Sequence, residues 1–229
     1  VISGAAPVQQ WTPNTRIDLD AQSRRLLERI YEDDPLFHAS SDQAFDLALS
    51  GTGDGEMGAA KKGDKAAARL AEFAAARLRE ETRIAAFSIN GWDTHRNQKA
   101  VLSTRLETLA VTLTTLRERL GPEVWAKTAV LAMTEFGRTA RANGTAGTDH
   151  GTGGAMLLAG GALRGGRVYG DWPGLDEAAL YARRDLMPTG DVRAYAAWAM
   201  RGLYGLDRAT LEGKVFPSLD MGSDLRIVR

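Results

Sequence analysis

The sequence contains no cysteine, and this absence excludes disulfide bonds and metal sites built on thiolate ligands. It also has no excess of charge of either sign, because 29 basic residues balance 29 acidic ones. No overall field therefore favours nucleic acid or an anionic membrane as a partner. No apolar run approaches the roughly 20 residues that a membrane-spanning helix needs, so we expect no membrane span.

The apolar periodicity predicts helices alternating with short strands. With 229 residues the chain is long enough for one sizeable core, and we expect a single α/β domain over residues 1–229. Residues 1–63 are predicted to form an irregular and helical lead-in. Residues 64–175 hold the core strand–helix–strand units with the loops of the site, and residues 176–229 form a C-terminal helix and tail.

Helical patterns are clearest in three segments. Residues 64–81 are alanine-rich with apolar residues at helical spacing. Residues 99–120 place leucines at alternating four and three positions, which predicts one stripe that faces a core: Leu102, Leu106, Leu109, Leu113, Leu116 and Leu120. Gly121 and Pro122 are expected to end this helix. A third helix is predicted from a cap at 189–191 to about Tyr204.

Three short apolar segments are predicted to be strands, at residues 83–89, 128–133 and 155–159. The first two flank the leucine-rich helix, and this arrangement has the length that a right-handed parallel crossover requires. Because ligands collect at the carboxyl edge of such a sheet, the polar residues that follow these strands are the candidates for a functional site.

Two of the three histidines lie in glycine-flanked turns next to predicted strands, each beside a carboxylate. Asp93 and His95 follow the first strand, and Asp149 and His150 precede the third. Carboxylate and imidazole ligands together suit zinc, manganese or iron. Taken singly, His95 is better explained as a surface loop residue that caps the leucine-rich helix, and His150 as a hydrogen-bonded loop residue. His38 lies among apolar residues, and we interpret it as structural.

Two further side chains follow the second predicted strand closely enough to reach the same edge. Glu135 is a candidate ligand, or an acceptor for the N–H of a ligating histidine. Asp149 has the same two candidate roles, as an additional ligand or as an orienting group. Arg138 is a candidate clamp for phosphate or sulfate, and a salt bridge to Glu135 or Asp149 is an equally good interpretation. The Asn-Gly-Thr sequence at 143–145 matches a glycosylation acceptor, but Asn-Gly favours a turn.

Several ordered motifs resemble one bacterial family: GWDTH, TEFGR, GTDHGTGGAMLLAGG, GGRVYGDWPGL and TGDVR, at 91–95, 134–138, 147–161, 165–175 and 189–193. Over about residues 84–217 the chain is similar to the family catalogued as domain of unknown function 1501. Members of that family often carry a twin-arginine export signal and are related to the alkaline phosphatase and sulfatase superfamily. The resemblance implies a three-layer αβα sandwich around a mostly parallel sheet, alkaline-phosphatase-like, and a periplasmic or secreted location.

The resemblance also implies a metal site. In that superfamily one metal is held by an aspartate and two histidines, and the matching residues here, in the same order, are Asp93, His95 and His150. A second metal takes an Asp-His pair where this chain has Glu135 and Phe136, so a phenyl ring replaces an imidazole. In an alternative alignment, Asp149 and His150 correspond to that pair.

The function implied is that of a metal-dependent hydrolase of phosphate or sulfate esters. It would act on a small anionic ester with a divalent metal, zinc before manganese or calcium, and with Arg138 as the anion contact. The alternative is a non-catalytic exported binding or scaffold protein with a vestigial or structural metal site, which Phe136 favours.

The family's N-terminal metal-binding turn and its nucleophile have no counterpart in this sequence. No nucleophile is therefore assigned in this chain. We expect the chain to be the C-terminal part of a longer protein, with its sheet incomplete at the amino terminus. A missing N-terminal segment, or another chain, would then cover that sheet.

Overall fold

The computed structural model describes residues 62–229, together with Val8. The predicted lead-in over residues 1–63 lies almost entirely outside the described residues, as does His38. The chain divides into two compact units, Val1–Leu70 and Ala71–Arg229. The second unit contains all of the elements described below except the start of the first helix, and the single domain stays a prediction.

Helix α1 spans Lys62–Leu78, close to the predicted 64–81. Its later turns contribute alanines to a buried apolar cluster with two leucines of the next helix: Ala71, Ala74, Ala75, Leu116 and Leu120. Side chains as small as alanine leave room for both leucines, which are at most 4% exposed. Beside the cluster, Arg119 donates to the carboxylate of Glu72 at 2.6 Å.

Helix α2 spans Gln98–Trp125, and its regular geometry breaks at Gly121 (φ 71°, ψ 171°) where an end was predicted. One further turn begins at Pro122. The predicted leucine stripe is wrong in its rotation, because Leu106 is 51% exposed and the buried line is Thr108, Thr112, Leu116 and Leu120. Threonine is buried here at little cost, since each hydroxyl donates to the carbonyl four residues earlier, at 3.0 and 2.8 Å.

Four short strands follow: β1 (Val130–Ala132), β2 (Gly137–Arg138), β3 (His150–Gly151) and β4 (Leu157–Ala159). β1 and β4 lie where strands were predicted and pair antiparallel, with Leu131 opposite Leu158. Residues 83–89 form no ladder with any described residue, and Ile84 is 66% exposed. A strand requires a paired neighbour, so the predicted strand at 83–89 is wrong within the described part. The αβα sandwich stays a prediction.

The C-terminal part begins with a 3₁₀ turn at Glu177–Ala179. Helix α3 spans Val192–Tyr204 and is capped by the side chain of Asp191, as predicted. A short helix α4 (Arg208–Thr210) runs into a π-helical turn at Leu211–Val215. The apolar residues behind these elements form a second cluster: Ala197, Leu211, Leu219 and Met221. Within residues 62–229, no helix combines the length and the apolar character that a bilayer crossing needs.

Candidate metal centre

Two loops meet to form the candidate site, one before α2 and one before β3. Backbone hydrogen bonds join them: Asn97 N–H donates to Thr145 O at 3.1 Å, and Thr148 N–H donates to Thr94 O at 3.1 Å. Gly147 lies at the closest approach, where an added Cβ would be 2.1 Å from the backbone of His95. A glycine is therefore required at this crossing.

Three predicted ligands converge where the loops meet. Asp93, His95 and His150 each offer a ligand atom, and these atoms all lie within 4.8 Å of one another. Asp93 Oδ1 is 3.0 Å from the Nε2 atom of each histidine, and the two imidazole rings are 4.9 Å apart. The three side chains are 45–50% exposed, so a metal held here would keep positions open to solvent.

The chemistry of these donors fits a divalent metal. A carboxylate and two imidazoles form the set that zinc takes in hydrolytic sites, where a fourth position remains for water or substrate. Tetrahedral bonds of roughly 2.0–2.1 Å separate ligand atoms by about 3.3 Å. The 3.0 Å separations around Asp93 Oδ1 are close to that value.

Asp149 lies behind His95 instead of joining the three ligands. Its Oδ1 atom is 3.1 Å from His95 Nδ1, on the side of the ring away from Asp93. A carboxylate in this position holds the Nδ1–H tautomer and leaves the Nε2 lone pair for a metal. The geometry thus favours the orienting role over the ligand role for Asp149.

Hydrogen bonds to both carboxylates favour their charged forms. Chiefly the Arg138 guanidinium, with His150 and His95 in addition, lowers the pKa of Asp93. The side-chain amide of Asn143, and after it His95, lowers the pKa of Asp149. Both groups are therefore anionic at neutral pH, as a metal site requires.

Asn143 is the centre of the second loop. Its Nδ2 group donates to Asp149 Oδ1 and to His95 O, both at 3.0 Å. Its Oδ1 atom accepts from the backbone N–H groups of Thr145 and Gly147, both at 3.0 Å. The structure confirms the predicted turn, and the same side chain also fixes the carboxylate behind His95.

Arg138 on β2 contacts Asp93 and not the two carboxylates suggested as alternatives. One Nη group donates to Asp93 Oδ1 and the other to Thr148 O, while Nε donates to Thr148 Oγ1 at 2.9 Å. The predicted salt bridge to Glu135 or Asp149 is wrong, because the pairing of Arg138 with His150 in the β2–β3 ladder places the guanidinium beside Asp93.

Gln98, at the start of α2, was not recognised from the sequence. Its Oε1 atom accepts from the hydroxyls of Thr94 and Thr148, at 2.8 and 2.5 Å. Gln98 thereby links the two loops. Through the hydroxyl of Thr148 it is also linked to Arg138. This glutamine lies fifty residues from one of its partners in the sequence, so no motif of recognisable spacing indicates its role.

Phe136 and Glu135 occupy the turn between β1 and β2. The ring of Phe136 stacks on His150 at a centroid distance of 3.8 Å and an interplanar angle of 18°. Glu135 is exposed and is not one of the three clustered ligands. Thr134 Oγ1 donates to Phe136 O at 2.8 Å, which closes the turn so that the phenyl ring, and not the carboxylate, packs beside the site.

Residues 181–186 brace the segments that follow β2 and β3. Asp185 is 2% exposed and accepts two hydrogen bonds from Arg184, at 2.8 and 3.2 Å. A backbone bond of 3.0 Å from Gly153 N to Leu186 O continues the brace. This segment gave no clear pattern in the sequence, so its role was not predicted.

Comparison with known families identifies one match. The family described as Protein of unknown function (DUF1501) matches residues 7–196. No curated protein and no solved structure matches the chain significantly. Because the family match spans most of the chain and includes both loops of the metal centre, the protein belongs to the DUF1501 family.

Proposed function

We propose that this protein is a metal-dependent hydrolase of phosphate or sulfate esters, with a divalent metal, zinc before manganese or calcium, held by Asp93, His95 and His150. The convergence of these three ligands beside an arginine is the observation that carries the proposal. A metal bound there would polarise an ester oxygen or lower the pKa of a bound water.

The residues of the chain would bind and orient the substrate anion. Arg138 donates three of its five N–H groups to Asp93 and Thr148. The other two can donate to the oxygens of a phosphate or sulfate group. Because both its partners are fixed, the guanidinium is held in place before substrate arrives. Such preorganised charge is effective in stabilising the charge that develops on transferred oxygens.

Two hydroxyls of the site loops, those of Thr94 and Thr148, are not suited to be the attacking group. Thr94 and Thr148 both donate to Gln98 Oε1, so neither hydroxyl is free to be activated without breaking the contact between the loops. Attack on phosphorus or sulfur would therefore come from water or from a residue outside the described part.

The proposal includes the wider relations implied by the sequence. We place the chain in the alkaline phosphatase and sulfatase superfamily, as a single domain with an αβα sandwich, and in an exported protein of the periplasm or cell exterior. Fractionation of cells that express the gene tests the location, and recovery in the cytoplasm alone would contradict it.

A direct test measures ester hydrolysis by the product of the complete gene, loaded with zinc, manganese or calcium, on a panel of aryl phosphates and sulfates. We expect turnover that chelation abolishes and metal restores. Arg138→Gln should raise KM by about tenfold through loss of charge-assisted contacts. The exposed Arg167→Gln is the matched control, with no change expected.

A second candidate is a non-catalytic binding or scaffold protein that keeps the metal site. The stacking of Phe136 on His150, at a position where relatives of the superfamily carry an imidazole, favours it. Stoichiometric metal with no turnover on any ester would support this candidate and contradict the hydrolase proposal.

A further inference from the structure

Two short segments, one of them at residues 227–229, pair to form a platform that contains no residue of the Asp93 cluster. Residues 162–164 and 227–229 run antiparallel through a bridge between Leu163 and Val228. Backbone hydrogen bonds of 2.8 and 2.9 Å flank the bridge. Ile227 is 1% exposed, so the platform is anchored by burial as well as by hydrogen bonds.

The platform presents two arginines whose Nε atoms are anchored reciprocally. Arg164 Nε donates to Val228 O at 2.9 Å, and Arg229 Nε donates to Leu163 O at 3.0 Å. Each guanidinium thus has a fixed plane, and among residues 62–229 its Nη groups form no hydrogen bond. A guanidinium held in this way loses little further rotamer entropy when it binds an anion.

Two more arginines share a cavity of about 680 Å³ with this pair. Arg201, in the last turn of α3, donates one Nη group to Leu206 O at 3.2 Å, and Arg226 lies on the tail. Among residues 62–229, none of the four guanidinium groups forms a salt bridge. The cavity therefore holds four cationic groups without partner carboxylates.

The two aspartates that line the same cavity offset only two of its four positive charges. Asp207 Oδ1 accepts from Thr210 N–H at 2.8 Å, and Asp224 Oδ1 accepts from Arg226 N–H at 2.8 Å. Both carboxylates are thus committed to backbone turns. The lining keeps an excess of positive charge within a chain whose formal net charge is zero.

We propose that this cavity is a second anion-binding site, which takes a small molecule that carries two or more phosphate or sulfate groups. Guanidinium forks bind such groups bidentately, and four of them around one cavity match more than one anionic group. The cavity volume falls in the range of small-molecule sites. The neutral chain lacks the extended field that would favour an anionic polymer.

Calorimetric titration with inorganic pyrophosphate, in metal-free buffer, tests the site. We expect saturable binding that weakens by about tenfold in Arg201→Gln and in Arg226→Asn. Asparagine is chosen because residue 226 has a φ of 51°, which asparagine tolerates. The charge-matched control, Arg167→Gln, removes an exposed arginine that does not line the cavity and should leave binding unchanged.

Four outcomes would overturn the proposal. The first is absence of binding at millimolar pyrophosphate, and the second is an equal loss of binding in Arg167→Gln. The third is a loss in Arg138→Gln with none in the cavity variants, which would assign the anion to the metal centre. The fourth is orthophosphate that binds as tightly as pyrophosphate, which would contradict the requirement for two groups. Circular dichroism of each variant separates loss of binding from loss of fold, and the two cavity variants serve as independent tests.

Discussion

One carboxylate oxygen of the candidate site receives three side chains. Asp93 Oδ1 contacts Arg138 and the Nε2 atoms of His95 and His150. The guanidinium of Arg138 favours the charged form of this carboxylate, and the three contacts together hold it in one rotamer. At the scale of single residues, the geometry of the site therefore depends less on the ligands themselves than on the neighbouring side chains that hold each ligand in place.

Asp149→Asn tests the role of the carboxylate behind His95. Asparagine keeps the shape but removes the charge that favours the Nδ1–H tautomer, so we expect metal affinity to fall by roughly 10–100-fold. Competition with a chromophoric chelator measures this. The exposed Asp176→Asn is the control, and an unchanged affinity in Asp149→Asn would contradict the orienting role.

Asn143→Ala removes a side chain that bonds both the turn and Asp149. We expect the free energy of unfolding to fall by about 1–3 kcal/mol, because buried and turn partners lose their hydrogen bonds, and metal affinity to fall with it. Chemical denaturation and chelator competition measure the two effects. Asn90→Ala, in the preceding loop, is the control. A stable variant with unchanged metal affinity would show that the turn does not depend on this amide.

At the scale of elements, the crossing of the two loops decides whether the ligands meet. Gly147→Ala would place a Cβ 2.1 Å from the backbone of His95, which forces the loops apart. We expect this variant to lose metal binding, whereas Gly144→Ala in the same turn has no atom within 4 Å of the added Cβ and should keep it. Equal metal affinity in both variants would be incompatible with the described crossing.

Helix α3 provides a test of pH dependence. Asp191 caps it, and chiefly the side chain of Arg193 lowers the pKa of Asp191. A lowered pKa means that the stabilisation is present above the unfolded-state pKa and is lost as pH falls through the folded-state pKa. Since the carboxylate is 39% exposed, solvent screening limits its contribution, and we expect Asp191→Ala to cost about 0.5–1 kcal/mol at pH 7.

The same variant should cost progressively less as the pH falls below 4. Urea denaturation of both proteins at pH 7 and pH 3 measures the difference. An equal cost at the two pH values would mean that the charge of Asp191 does not stabilise the helix.

The sequence predicted those features that depend on local patterns. The caps and breaks near Asp191 and Gly121 lie where predicted, because capping depends on a few adjacent residues. The rotation of α2 was predicted wrongly, since leucine spacing says nothing about threonines that satisfy their own hydroxyls. The strand at 83–89 was wrong in the described part because strand formation depends on a partner elsewhere in the chain.

At the scale of the whole molecule, three site residues were predicted and their supports were not. Asp93, His95 and His150 carry chemistry in their residue types, and the resemblance placed them in order. Gln98, Asn143 and Arg184 act through partners that only folding brings close. Glu135 was chosen by proximity in sequence to β1, and the closed turn places Phe136 beside His150 instead.

The overall neutrality of the chain has a consequence at the same scale. With no net charge, attraction of anions must come from local groups, which are Arg138 at the metal centre and the four arginines of the C-terminal cavity. Both sites should therefore bind anions more weakly as ionic strength rises, because exposed charges are screened within about 10 Å at 0.1 M salt.

Metal content tests the central claim most directly. Protein purified without chelators or a histidine tag is analysed for bound metals, beside folded His95→Ala and His150→Ala variants. His38→Ala is the matched control, because His38 is the third histidine and not a predicted ligand. We expect about one zinc per chain in the unmodified protein and the control, and none in the other two. Absence of metal in every sample after incubation with zinc, manganese or calcium, or equal metal in all four proteins, would contradict the assignment.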